Sequence, residues 1–239
     1  MSGALARTVA AELIKLRGLP AVPAAAAGTV GAGAALTAAL AASAPRTDAV
    51  QVMAETVPFV QVGPILIGVL AVAAEYDGRQ IATSLATTPN RPLLLASKAI
   101  ASLVVIAATG AATVGAGLAA AWLTSAARGV DPPQIGDGWP AVGAAGHLVL
   151  IGLLALAVAA LLRSLIPPLT TMLALVLVAS PLLSGYTEHA RWLPDRAGSA
   201  LYLPGADTVL TPATGALVLA GWVAATALAA VTAFVGRDA

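Results

Sequence analysis

Six stretches of the chain, each about 19 to 29 residues long, contain no Asp, Glu, Lys or Arg: 18–45, 56–74, 99–127, 138–162, 164–187 and 208–236. A bilayer core about 30 Å thick is spanned by about 20 apolar residues in a helix that rises 1.5 Å per residue. Lipid cannot satisfy a bare backbone, so runs of this length fold as helices that bond internally. Most of the chain is therefore expected to sit in lipid.

The composition agrees where it bears on the question. Charged residues make up 10% of the 239 positions and apolar residues 59%, against about 25% charged in soluble domains. The charged segments between the runs are too short to bury a core of their own, which leaves one membrane domain over 1–239. A net charge of +1 provides no field to draw the chain to nucleic acid. With no Cys, thiolate metal sites, Fe–S clusters, disulfides and Cys nucleophiles are all excluded.

Spans are expected near 20–43, 57–74, 99–124, 141–162, 165–185 and 213–235. The first follows basic residues and ends in small ones, as a signal peptide does. It is longer than a secretory apolar region, and Pro45 disfavours cleavage, so it reads as a retained span. With both termini inside, the inner segments carry Arg7, Lys15, Arg17, Arg79, Arg91, Lys98, Arg163 and Arg237. The outer ones carry only Arg46, Arg128, Arg191 and Arg196. The positive-inside rule then places both termini in the cytoplasm of a plasma-membrane protein. Arg163-Ser164 joins spans four and five in a tight inner hairpin, and the Pro167-Pro168 pair is expected to end helical continuity there.

Three segments outside the spans carry information. On a helix over 1–18, Leu5, Val9, Leu13 and Leu16 share one face, with Ile14 and Glu12 blurring the pattern, as in a basic amphipathic helix lying in the membrane interface. The stretch 75–98 is the longest polar segment on the inner side, suited to touching another protein or to serving as a solvated connector. The outer loop 186–212 holds Trp192, Tyr202 and several Leu, more than a polar loop needs. Its aromatics are expected at the headgroup level.

These segments, in this order, carry a resemblance. An Ala-Glu-Leu-Ile-Lys-Leu-Arg segment at 11–17 precedes two spans. A loop opening Glu75-Tyr76-Asp77-Gly78-Arg79 follows, then Leu85, Pro89, Arg91 and Lys98. This resembles the permease subunits of ABC transporters of the ABC-2, type V exporter-like, class, in which the loop often reads Glu-x-x-x-Gly-Thr and then Pro-x-Arg. Arg79 stands where Thr is usual, so any role of that Thr does not carry over. The resemblance implies an all-α polytopic fold with six transmembrane helices, an interfacial N-terminal helix and a cytoplasmic coupling helix between spans two and three. It implies that Glu75, Asp77, Gly78, Arg79, Leu85, Pro89 and Arg91 meet a separate ATPase subunit. It further implies a permease homodimer or heterodimer in contact with membrane lipid, and a small amphiphilic substrate such as a drug, antibiotic, peptide or lipid. In the outer loop, a Leu-Pro…Ala-Gly-x-Ala-Leu element is similar to the family's short outer helices.

Chemistry of its own is not expected. The only lysines, Lys15 and Lys98, follow no phosphate-cradling Gly loop, so ATP and Mg would be bound by the partner and no cofactor by this chain. His147 and His189 have no ligand spacing. Gln61, next to Gly63 and Pro64 in span two, is a candidate to line a path or bond a neighbouring helix, and Pro64 is expected to bend that span. His147, near the outer start of span four, is the other candidate for the path, or else a hydrogen-bonded or wetted group close to the interface. A non-transporting membrane scaffold or sensor and a secondary transporter are the alternatives. The latter is disfavoured because no run holds a deep acid or base except His147, and because halves 1–128 and 129–239 show no evident similarity.

Overall fold

A computed structural model of the chain describes residues 2–43, 48–77, 91–129, 138–203, 205 and 207–236. Among them there is no β-strand. The helices are α1 (Ser2–Gly18), α2 (Ala21–Ser43), α3 (Ala49–Ala54), α4 (Val57–Val60), α5 (Val62–Asp77), α6 (Arg91–Ala127) and α7 (Trp139–Leu162). After them come α8 (Ile166–Ala174), a π-helical stretch (Leu175–Ala179), α9 (Ser180–Ser184), a 3-10 turn (Glu188–Trp192), α10 (Pro194–Ser199) and α11 (Pro212–Gly236). Five helical segments are long and apolar enough to cross a membrane. A sixth crossing results if α3–α4 and α5, bent by 42° at a short break, form one span.

The bend has a local cause. Pro64 lies in the first turn of α5, where its missing N–H costs little, but it leaves the Val60 carbonyl without the usual helical partner. The chain turns at Gln61, whose amide still bonds the Val57 carbonyl at 3.1 Å. The expected bend is therefore present, and the bent helical pair that includes 57–74 begins at Ala49. There Asp48 caps α3 by accepting from the Val50 amide at 2.8 Å.

Two other boundaries are corrected. Pro167 and Pro168 do not stop a helix; they open α8, where first-turn prolines lose no hydrogen bond. The hairpin itself is made by Arg163, which caps α7 in the left-handed conformation (φ 52°) and donates from Nη2 to the Ala233 carbonyl at 2.9 Å. The third span is longer than 99–124. Arg91 to Lys98, read from sequence as part of a polar segment, form the first turns of the 37-residue helix α6, because Leu93, Leu94, Leu95 and Ala96 continue its apolar pattern. At 1.5 Å per residue this helix is about 55 Å long, well beyond a bilayer core.

The bundle core forms around α7. Ile151, Leu154, Ala155 and Ala159 pack with Ile65, Val69 and Val72 of α5, Met172 of α8 and Leu219 of α11. Close approach is set by glycine where two backbones meet: a side chain at Gly68 would strike the Gly152 carbonyl of α7. Gly28 and Gly115, which share small-residue spacings with their neighbours, face open space instead. Sequence spacing alone does not separate these two kinds of glycine.

Candidate functional site

The ends of the bundle differ in how they bury charge. At one end α1 lies against α6. Leu16 is buried in a cluster with Val22, Ile67, Ala71, Ala101 and Ile106, and Val9 and Leu13 pack on it, so the expected apolar face is the packed face. Ile14 is exposed. Glu12 is not a blemish on this pattern. It lies on the same stripe, three residues after Val9 and four before Leu16, and is 2% exposed. Lys98 of α6 donates from Nζ to Glu12 Oε2 at 2.7 Å and to the Ala71 carbonyl of α5 at 3.1 Å. Lys15 donates to the other Glu12 oxygen at 2.8 Å. Burial alone would push the Glu12 carboxyl up, but the Lys98 charge and the hydrogen bonds from Lys15 and Lys98 outweigh it and hold the group below its ordinary range. The Glu12–Lys98 pair thus ties three helices together: α1, α6 and, through the Lys98 ammonium, α5.

This junction stands beside the segment read from sequence as the contact for a partner. Glu75 and Asp77 lie in the last turn of α5 and Arg91 opens α6. Gly78, Arg79, Leu85 and Pro89 lie outside the described residues. Glu12 was missed as a functional residue. Its signal was a carboxylate on an apolar stripe in a chain whose only other lysine, Lys98, heads an apolar run.

At the opposite end, the segment after α9 folds back into the bundle. Thr187 starts the 3-10 turn by accepting from the His189 amide at 3.2 Å. The Trp222 indole of α11 donates to the Trp192 carbonyl at 2.9 Å. Trp222 is ten residues into α11, so this turn sits about 15 Å along that helix from its start. α10 then packs between α7 and α11 through glycines. A side chain at Gly198 would strike His147, and one at Gly215 the Ala197 carbonyl.

Between α4, the α8–α9 helix, α10 and the loop to Asp207 lies a cavity of about 620 Å³. Gln61 and Tyr202 line it; His147 stands directly behind them. The two path candidates are brought together. His147 Nε2 is 3.1 Å from Gln61 Oε1, and Gln61 Nε2 donates to the Pro58 carbonyl at 2.9 Å. With the amide nitrogen so committed, Gln61 Oε1 accepts and His147 carries its proton on Nε2. His147 is fully buried, not a wetted interfacial group, and its Nδ1 meets no donor among the described residues. Tyr202, expected at the headgroup level, is 3% exposed and stands edge-on to the His147 ring at 5.1 Å. α10 and the turn after it draw it inward. Trp192 and Tyr186 remain exposed.

Asp195, in the first turn of α10, was not singled out by sequence. It is 8% exposed and lines the cavity. Ser180 Oγ donates to its Oδ1 at 2.5 Å. The π-helical stretch that sets Ser180 in place comes just before Pro181, whose ring cannot enter a regular helical ladder. Burial pushes the Asp195 carboxyl up, and the Ser180 hydroxyl and the nearby Arg196 charge do not pull it back to its ordinary value. Among the described residues no cation stands within ion-pair distance of it. Arg196 donates to Ser184 at 3.0 Å, and Arg191 is shared by Glu188 at 3.1 Å and Asp207 at 3.5 Å.

Among the described residues no group of three or more His, Asp or Glu is placed to hold a metal ion, and no hydrogen bond joins a hydroxyl to a His ring. No protein-family model matches the chain, and no curated protein matches it either.

Proposed function

We propose that the chain is the membrane-spanning permease subunit of an ATP-driven ABC exporter, with six crossings and both termini in the cytoplasm. It pairs with itself or a sister permease, and each permease engages a separate ATPase subunit. Its substrate is a small amphiphile. The resemblance of 11–17 and 75–98 to ABC-2 permeases supports this reading, as do the absence of a phosphate-binding loop in the sequence and the excess of Lys and Arg in the segments assigned to the inside.

The observation that carries it is the Glu12–Lys98 pair with its bond to the Ala71 carbonyl. The residues 78–90 connect α5 to α6, and this junction clamps the adjacent ends of those two helices to α1. A soluble subunit pressing on 78–90 would move the three helix ends as one body. That is what coupling requires: two membrane conformations, biased by one partner through a rigid element.

The test is co-expression with an ATPase encoded beside this chain, purification in lipid nanodiscs and measurement of the particle mass. Two permeases with two ATPases is the expected result. In the same preparation Leu85→Ala or Arg91→Ala should lose the ATPase while the chain remains inserted. A chain that purifies free of any ATPase overturns the reading.

A further inference from the structure

We infer that the cavity under α10 is a binding site for an organic monocation, an amine with an apolar body, with Asp195 as its counter-charge. Named as an exporter's substrate, the amine rests on the permease reading; as a ligand of this cavity it does not.

Size and lining come first. A volume of about 620 Å³ falls within the range of about 300–1,000 Å³ common to drug-sized ligand sites. Its walls mix apolar and polar groups: Val176, Ala200, Leu203 and the Tyr202 ring offer an apolar bed beside a larger set of polar and charged side chains.

Charge decides what that bed receives. Three acids and two arginines line the cavity: Glu188, Asp195 and Asp207 against Arg191 and Arg196. Arg191 is already neutralised, held by both Glu188 and Asp207. Arg196 directs Nη2 to the Ser184 hydroxyl, its buried Nε meets no acceptor among the described residues, and its charge acts on Asp195 from beyond ion-pair distance. That leaves Asp195, the most buried acid of the three, which accepts from the Ser180 hydroxyl and from backbone amides at the start of its own helix and faces the cavity with no ion pair among the described residues. A buried carboxylate in this state is costly, and a ligand ammonium that reaches it recovers that cost. An anion meets the opposite balance. The cavity's formal charge is negative, with three acids against two arginines, and Arg191 is doubly occupied.

The groups facing the Asp195 carboxyl from each neighbouring element fix the expected pH response. Arg196 shares its helix and Tyr202 follows it; Glu188 and Arg191 stand on the 3-10 turn. The α4 and α8–α9 walls contribute only neutral groups among the described residues, Gln61, Val176, Pro181 and Ser184. Burial holds the Asp195 carboxyl above its ordinary value. Its protonation removes the counter-charge, so amine binding falls as pH drops, and starts to fall at a higher pH than an exposed Asp would give.

The experiment uses the full chain in nanodiscs, without any ATPase, and radiolabelled propranolol, a secondary ammonium with an aryl body, as probe. Empty nanodiscs measure partition into lipid. Saturable binding of one probe per chain is expected, weakened at least tenfold by Asp195→Asn. That variant keeps the size of the side chain and still accepts from Ser180. Titration of the wild-type chain from pH 8 to pH 4 gives a second reading that needs no variant, and binding should be lost across it. Uptake equal to that of empty nanodiscs, unchanged affinity in Asp195→Asn, a flat pH profile, or preference for a matched aryl carboxylate such as naproxen would each overturn the proposal. Because no ATPase is present, these outcomes are independent of the co-purification that tests the permease reading.

Discussion

Two carboxylates are buried at opposite ends of this bundle, and they are treated in opposite ways. Glu12 is surrounded by Lys98 and Lys15, and its carboxyl is held below the ordinary range. Asp195 has a serine, and its carboxyl is pushed above it. The difference lies in the neighbours, since both groups are taken out of water to a similar degree. A buried acid with its cation supplied from another helix works as a structural tie. A buried acid without one keeps a raised carboxyl and costs stability when ionised.

The comparison breaks most readily at Lys98. Lys98→Met leaves Glu12 buried without its closest cation, and a loss of about 3–5 kcal/mol is expected, the usual cost of halving a buried pair. Thermal unfolding in nanodiscs reads this directly. The double variant Glu12→Leu with Lys98→Met should recover most of the loss, since two apolar groups then meet. A Lys98→Met chain that melts like the wild type would show that the pair is not a tie.

A smaller effect is expected at the other end. Gly198→Ala drives a methyl group into the His147 ring, and overpacking of this kind costs about 1–3 kcal/mol. It should also disturb the His147–Gln61 bond, which a ring-proton NMR signal would report.

The pH dependence sharpens the contrast, because the two signs are opposite. Glu12 has a lowered value in the folded chain, so its contribution is complete above the ordinary carboxylate range and is lost as pH falls through the folded value. Asp195 has a raised value, so its ionised form costs stability at neutral pH, and that cost disappears as pH falls through the raised value. Asp195→Asn should therefore melt higher than wild type at pH 7.5, with the gap closing in mild acid. Glu12→Gln should melt lower at pH 7.5, with its gap closing only in stronger acid. Melting curves of both variants across pH check the two signs together.

The smallest effect belongs to Arg191. Glu188 is largely exposed, and pairs of this kind contribute about 0–1 kcal/mol. Arg191→Ala should change the melting temperature little.

Much of the architecture was legible in the sequence because length and charge dictate it: a charge-free run of bilayer length has few other ways to fold. The break at 163–165 and the bend near Pro64 were legible from local backbone chemistry, but the left-handed Arg163 that makes the hairpin, in place of the prolines, was not. What was not legible was set by contacts distant in sequence. Glu12 looked like noise on an amphipathic stripe until Lys98, 86 residues away, was seen against it. Gln61 and His147, also 86 residues apart, were each noted, but no spacing rule joins them. Asp195 lay unremarked in a loop whose aromatics drew the reading toward the membrane surface. Only the fold of 188–203 into the bundle turns Tyr202 and Asp195 inward.

The contrast between the two ends has a functional meaning only if they face opposite sides of the membrane. The chain lacks Cys, so single cysteines can be placed on a clean background. Arg7→Cys on α1 and Glu188→Cys on the 3-10 turn are both at exposed positions. Labelling with a membrane-impermeant maleimide, before and after permeabilising cells, is the direct measurement. The account expects Glu188→Cys to react in intact cells and Arg7→Cys only after permeabilisation. Reaction of both from the same side would mean that α3–α5 does not cross. Reaction of Arg7→Cys alone in intact cells would mean that the chain is inverted, and either result contradicts the account.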